Sequence, residues 1–348
     1  THVVSLGDLL DRGADSRKVM DLLMRLQGEA QAAGGRLHVV LGNHEAMNVL
    51  GDLRYVDPGE FAAYADVESV TQRADRRKAW ETAQGAGSGP GFDQRLPPGY
   101  FGHRVALSPK GTYGQWLLSL PVAIAINDTL FMHAGPSSVL RGMSLQELNL
   151  RYRTALIEYA GLAGRLEQAG LLQQGDAFHA RPQLARERLA AMAAAGGGTP
   201  DTALADAVQR FQAADDDALL SPDGPNWYRG AALCNEAAEA DVLQPLLQQF
   251  GVARLVVGHT PTRDLRAVTR FDGRVVKLDA GMNRAAYKGR AVALYLQPAG
   301  LLSVRYAGEP EAVPLQPEGL LVAPNEIDDA SVLAALSDGE VTVAGPRG

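Results

Sequence analysis

Leu6-Gly7-Asp8-Leu9-Leu10-Asp11-Arg12-Gly13 and, further along, Leu41-Gly42-Asn43-His44-Glu45 decide how the rest of the chain is read. Each follows a short aliphatic run, Val3-Val4-Ser5-Leu6 and Leu37-His38-Val39-Val40-Leu41. Runs this short, bounded by glycine, predict buried parallel strands rather than helices. Between them Asp15-Ser16 opens a helix whose Val19, Met20, Leu22, Leu23, Leu26 and Ala30 keep helical spacing, and Gly34-Gly35 closes it. The product is a β-α-β unit with polar residues gathered where each strand ends, the place where open α/β sheets put ligands.

The residue types at those strand ends suit one kind of chemistry. Asp8 offers a carboxylate able to bridge two cations, Asn43 a neutral amide oxygen, and His44 a proton donor or a ligand. Asp11 and Arg12 follow one turn beyond Asp8, and an arginine fork matches phosphate oxygens bidentately. Alone, an Asp-Gly pair is usually a turn and an Asn-His pair after a strand is usually a helix cap. Together, at the ends of adjacent strands, they are far more specific.

GDxxDRG followed by GNHE resembles the metallophosphoesterase (calcineurin-like) superfamily, and within it the phosphoprotein phosphatase branch. The continuation Met47-Asn48-Val49-Leu50-Gly51-Asp52-Leu53-Arg54-Tyr55-Val56 looks most like the bacterial Shewanella-like phosphatases. The resemblance runs in blocks from Thr1 to Arg290, broken by a long dissimilar insert. It implies an α/β fold, a four-layer α/β/β/α sandwich with a helical insertion. The family's Asp-x-His motif, which should precede Asp8, is absent, so the sheet is expected to lack its first strand. Thr1-His2 already lies at the edge of a strand, and further residues are expected upstream.

Composition limits the alternatives. An apolar fraction of 46% is ample for one large core, and a net charge of −7 with pI near 5.5 argues against a nucleic-acid or anionic-membrane surface. No apolar run reaches the eighteen or so residues of a membrane helix. The single cysteine, Cys234, excludes an internal disulfide and a thiolate metal cluster, and is expected to be a small buried apolar residue. Compartment stays open between cytoplasm and periplasm, and oligomeric state is not readable.

A single domain over 1–348 is expected, with insertions at 57–115 and 139–222 and a tail over 308–348. In the first insertion a helix is predicted around Gly59–Thr82, followed by a loop where Gly85, Gly87, Gly89, Pro90 and Gly91 cluster; lid and decoration are both open readings. Strands Pro121–Ile126 and Thr129–Met132 flank the turn Asn127-Asp128 and deliver His133-Ala134-Gly135. In the second insertion Ser144-x-x-Glu147 is a capping box opening a helix, and Ala-rich helices are predicted around Gln183–Ala195 and Thr202–Ala213. Beyond it come Trp227-Tyr228-Arg229-Gly230, a helix Glu236–Phe250, the strand Ala253–Val257 leading to Gly258-His259-Thr260-Pro261, a hairpin about Asp272-Gly273 and another about Pro298-Ala299-Gly300.

The resemblance assigns roles residue by residue. Asp8 bridges two divalent metals (Mn, Fe or Zn), and Asn43, His133 and His259 complete the second site; such an O/N donor set suits those ions. Pro261 stands where the superfamily's GHxH form has a second histidine, which weighs toward the phosphoprotein phosphatase branch. Arg12, Asn43 and Arg229, the last in a W-x-R-G element, are implied to hold phosphoryl oxygens, with Arg54 as a further candidate contact. His44 is implied to protonate the leaving group, oriented by Asp11. The expected activity is hydrolysis of phosphomonoesters, phosphoprotein or small aryl phosphate with a lean to phosphotyrosine, by in-line attack of a metal-activated hydroxide. Two alternatives stand beside it: a dinucleoside polyphosphate or other phosphoanhydride hydrolase, and a truncated metal-binding module with weak turnover. His2, His38, His103 and His179 are read as structural.

Overall fold

The computed structural model describes residues 1–318 except 86, 197, 200 and 298–301. In chain order its elements are β1 (His2–Ser5), α1 (Ser16–Ala32), β2 (Arg36–Val39), α2 (Asn43–Leu50), α3 (Pro58–Ala62), α4 (Val70–Gln84), α5 (Gly89–Arg95), α6 (Tyr100–Ala106), α7 (Thr112–Ser119), β3 (Ala123–Ile126), β4 (Thr129–Met132), α8 (Leu145–Gln168), α9 (Arg181–Ala195), α10 (Thr202–Asp215), α11 (Gly230–Leu233), α12 (Glu236–Gln249), β5 (Arg254–Val257), β6 (Val268–Arg270), β7 (Val275–Lys277), α13 (Arg284–Tyr287), β8 (Val292–Leu296), β9 (Leu302–Tyr306), β10 (Val313–Pro314) and β11 (Gln316–Pro317).

β1 and β2 pair in parallel, with Ser5 opposite Val39. A six-stranded mixed sheet runs β11-β6-β7-β5-β4-β3, with β4, β5 and β7 parallel at its centre, and β8, β9 and β10 form a separate antiparallel sheet. The central strands are buried on both faces, which is why they read as unbroken aliphatic runs. Phe131, Val256 and Val276 face the second sheet with Leu294 and Leu302, whereas Leu130, Met132, Leu255, Val257 and Val275 face the helices with Leu148, Tyr152 and Leu246. The α/β class and the packing of sheet on sheet agree with the sequence. β1 shows its other edge without a strand among the described residues, leaving Val3 more than half exposed.

The helix predicted over Gly59–Thr82 is two helices, α3 and α4, parted by turns from Ala63 to Ser69. The glycine cluster predicted as loop contains α5. Pro90 sits in its first turn, where a missing N–H costs nothing, and Phe92, 1% exposed, anchors it beside Phe101. In the second insertion, Ser144 Oγ accepts the Glu147 N–H at 3.1 Å, and α8, α9 and α10 pack around Tyr159, Leu166 and Phe211. Residues read as tail from 308 supply β10 and β11, and Glu318 pairs with the buried Lys277 at 2.5 Å. The predicted turn at Pro298-Ala299-Gly300 and the stretch 319–348 lie outside the described residues. Cys234 is exposed rather than buried, because it caps the four-residue α11 and leaves the core at that point. Among the described residues no helix is long and apolar enough to cross a membrane.

Candidate active site

Four strand ends point their following residues at one spot. β1 leads to Asp8, β2 to Asn43 and His44, β4 to His133, and β5 to His259. Met132 lies opposite Val257, so His133 and Gly258 are level, and the Gly258 N–H donates to the His133 carbonyl at 2.9 Å. The first two ends touch backbone to backbone. A Cβ on Gly7 would lie 2.6 Å from the Gly42 nitrogen, and one on Gly42 would lie 2.6 Å from the Asp8 nitrogen. Gly7, Asp8, Asp11, Arg12 and His259 all hold positive φ, a clustering of left-handed backbone that costs free energy and persists where surrounding contacts over-determine it.

Among the described residues one group of atoms could hold a cation. Ligand atoms of Asp8, His133 and His259 lie within 4.8 Å of one another. His133 Nε2 is 2.9 Å from Asn43 Oδ1, 3.1 Å from Asp8 Oδ1 and 3.1 Å from His259 Nδ1. His133 Nδ1 donates to the Leu6 carbonyl at 2.6 Å, which turns the lone pair of Nε2 toward the cluster. The Asn43 amide nitrogen faces Met47 Sδ, leaving its oxygen for the same point. Converging lone pairs repel unless something positive sits among them, so the donor set fits a divalent ion of intermediate hardness. Burial alone would raise the Asp8 carboxyl, but His133, His44 and His259 outweigh it and hold it well below the usual range. Burial, with His133 and Arg229 beside it, drives His259 well below an ordinary imidazole, which keeps it neutral and able to ligate.

Beside this cluster lies an acid-base pair. His44 and Asp11 are almost fully buried, and His44 Nδ1 donates to Asp11 Oδ2 at 2.6 Å. Arg12 Nη1 donates to His44 Nε2 at 2.9 Å. Burial pushes His44 down, yet the carboxylates Asp8 and Asp11 outweigh it and the net shift is upward. Arg229 Nη1 donates to the His259 carbonyl at 3.1 Å and to Thr260 Oγ1 at 3.0 Å, which seats it at the β5 strand end. Arg54 is placed differently. It makes a bidentate pair with Asp52, touches His179, and lies 5.9 Å from the centroid of the Tyr55 ring, the ring that Arg12 also faces. The remaining histidines are apart from the cluster: His2 and His38 hydrogen-bond each other at 2.9 Å, and His103, packed edge-on against Phe61 and Tyr64, is pushed by burial down to about 3.

Sequence reasoning missed four contributors. Glu45 is fully buried and accepts four backbone N–H groups, from Asp8 (2.9 Å), Leu9 (2.7 Å), Leu10 (3.2 Å) and Gly42 (2.8 Å). Its signal was the capping spacing Gly42-x-x-Glu45. Asn48 donates to Asp11 Oδ1 at 2.9 Å and bonds the His44 carbonyl, one helical turn away. Asp279, at the end of β7 beside β5, feels Asp8, His133 and Arg229, and burial pushes its carboxyl up. Its signal was a third aliphatic strand ending in an acid, Val275-Val276-Lys277-Leu278-Asp279. The Tyr55 ring lies tilted against His44, at 5.2 Å between ring centroids; it stands within the Met47–Val56 stretch but had no role read for it.

The chain is similar to known proteins in sequence and in fold. A family model described as calcineurin-like phosphoesterase matches residues 1–263. An uncharacterized protein of Schizosaccharomyces pombe is 28% identical over 295 residues, 83% of this chain and 64% of its own length. Shewanella-like protein phosphatase 2 of Arabidopsis thaliana is 33% identical over 147 residues, 39% of this chain and 37% of its own length. Among solved structures, a cold-active protein-tyrosine phosphatase of a psychrophilic Shewanella species superposes with TM-score 0.51 at 26% identity, covering 87% of this chain and 66% of that one. The chain therefore spans about two thirds or less of each.

Proposed function

The chain belongs to the calcineurin-like phosphoesterase family, and from that premise we propose that it is a metal-dependent phosphatase acting on phosphomonoesters, aryl phosphates such as phosphotyrosine foremost. The observation that carries the reading is the convergence of Asp8, Asn43, His133 and His259 next to the His44–Asp11 pair and Arg12. Those four residues would hold a divalent cation (Mn, Fe or Zn), and the second oxygen of Asp8 is what this chain offers a second one. When bound, the metal supplies Lewis acidity and a nucleophile at neutral pH.

The protein's own groups account for the rest. Arg12 and Arg229 neutralise the phosphoryl oxygens, whose charge spreads in the transition state; the Asn43 amide nitrogen, turned to Met47 Sδ, is left out of that grip. As Arg12 turns its N–H groups to the phosphate, His44 Nε2 becomes available to carry the proton that the leaving oxygen takes. Asp11, fixed by Asn48, holds the imidazole by Nδ1 and favours its charged form. The name of the Shewanella structure supports the aryl preference. Phosphate release from a phosphotyrosine peptide, a phosphoserine peptide and diadenosine tetraphosphate in Mn²⁺ tests the reading. Phosphotyrosine is expected to react fastest; faster cleavage of the dinucleotide, or metal uptake with no turnover of any of the three, overturns it.

A pH consequence follows. Activity needs protonated His44, so the fall of kcat on the basic side tracks the His44 pKa, raised here by Asp8 and Asp11 against burial. Asp11→Asn removes one of those charges and lowers the pKa. The basic limb of the kcat profile should move to lower pH, with kcat down by about 10- to 100-fold, within the usual worth of a positioned acid. An unmoved limb would assign the proton to another group.

A further inference from the structure

We infer that Tyr287, on the loop between β7 and β8, is a positioning residue that clamps the Arg12 guanidinium for phosphate; the inference rests on the phosphate-gripping role proposed for Arg12. Arg12 is held from two distant segments. Its N–H donates to the Tyr55 carbonyl at 3.0 Å, and Asn283 Nδ2 donates to its carbonyl at 3.2 Å. Its guanidinium carbon lies 4.6 Å from the centroid of the Tyr55 ring and 5.5 Å from that of Tyr287, both within the reach at which a ring face attracts a cation. The same side chain reaches His44. Two rings and two backbone hydrogen bonds thus surround a residue whose φ of 54° is one that side-chain-bearing residues seldom adopt.

The loop is built to deliver those contacts. Asn283 caps α13, accepting from Ala285 and Ala286, and the Tyr287 N–H closes the turn on the Asn283 carbonyl at 2.8 Å. The Arg290 N–H reaches the Ala280 carbonyl at 3.3 Å, so the ends of the loop meet. A Cβ on Gly289 would lie 1.9 Å from the Ala280 oxygen, and one on Gly281 would lie 2.8 Å from the Cβ of Tyr287. Glycine at both places lets the loop close tightly and fixes where Tyr287 starts. Met282, Arg284, Ala285, Ala286 and Lys288 are exposed, while Asn283 and Tyr287 are half-buried and both meet Arg12. Tyr287 belongs to none of the apolar clusters of the described residues, so core packing does not explain it. An arginine loses much rotamer freedom when it grips an anion. A clamp that narrows this freedom beforehand, leaving only the turn from His44 to the phosphate, acts chiefly on binding.

The chain of residues 1–348 and its variants Tyr287→Ala, Tyr287→Leu, Tyr287→Phe, Arg12→Ala and Arg12→Ala/Tyr287→Ala are titrated with inorganic phosphate by calorimetry. Steady-state kinetics follow on p-nitrophenyl phosphate, with circular dichroism melts as the fold control. Tyr287→Ala and Tyr287→Leu are expected to weaken phosphate by about 5- to 10-fold, a typical worth for a partly desolvated cation–ring contact, and to raise KM with kcat nearly constant. Tyr287→Phe keeps the ring face and should bind as wild type. In the Arg12→Ala background Tyr287→Ala should add nothing. Wild-type affinity in Tyr287→Leu, loss in Tyr287→Phe, or a further loss in the double variant overturns the inference alone. If Arg12→Ala itself leaves phosphate affinity unchanged, the phosphate grip fails and this inference with it. Should Tyr287→Ala not fold, the leucine and phenylalanine variants decide.

Discussion

Asp8→Ala is expected to abolish both cation binding and turnover. The carboxylate is the single anionic member of the cluster; its partners Asn43, His133 and His259 are neutral when they ligate. Removing it takes away the charge that offsets desolvation of a divalent ion among buried imidazoles. Loss of a residue that merely supports a ligand commonly costs 10- to 100-fold in metal affinity, so loss of the anionic ligand should exceed about 100-fold. Calorimetric titration with Mn²⁺ reads the affinity, and phosphate release reads the turnover. The fold should survive, since Asp8 is a third exposed and its side chain supports no apolar core. A variant that melts like the wild type, binds Mn²⁺ normally and still turns over would remove Asp8 from the site.

Glu45→Ala should be the most damaging substitution for stability. One fully buried carboxylate closes four amide N–H groups across two segments, and alanine leaves all four without that acceptor. Orphaned buried donors cost about 1–3 kcal/mol each, and water admitted to the gap offsets part, so a net loss of about 3–5 kcal/mol is expected. Burial and the neighbouring Asp8 push Glu45 above an ordinary carboxylate, against the pull of His133 and the Leu9 amide. The site has therefore been built around a costly group. Denaturant titration measures the loss. Glu45→Gln retains one oxygen and should fall between the two, with activity reduced more than stability because the turn after Asp8 loosens. Equal stability in Glu45→Ala and wild type would show that the turn is held by other contacts.

Much of the fold was legible because it rests on local pattern. The aliphatic runs before Gly7 and Gly42, and the helix opened at Asp15-Ser16, declare themselves within windows of ten or fifteen residues. The residues that come together at the strand ends, Asp8, Asn43, His133 and His259, were legible for the same reason, each following an aliphatic run. The failures share a cause: their explanation lies far away in sequence. Gly89-Pro90-Gly91 reads as loop until Phe92 is seen to anchor the turn against the aromatic cluster with Phe101 and Trp80. Glu45 reads only as the end of its motif, since its donors at residues 8 to 10 lie 35 or more positions away. Tyr287 has no local signature whatever, because its partner lies near the opposite end of the described chain.

The abutment of Gly7 on Gly42 constrains how such a protein can change over time. Where two segments meet with no side chain between them, neither can drift while the other stays, since even one methyl group would wedge them apart. A side chain at either glycine would have to move both loops, and with them Asp8 and Asn43.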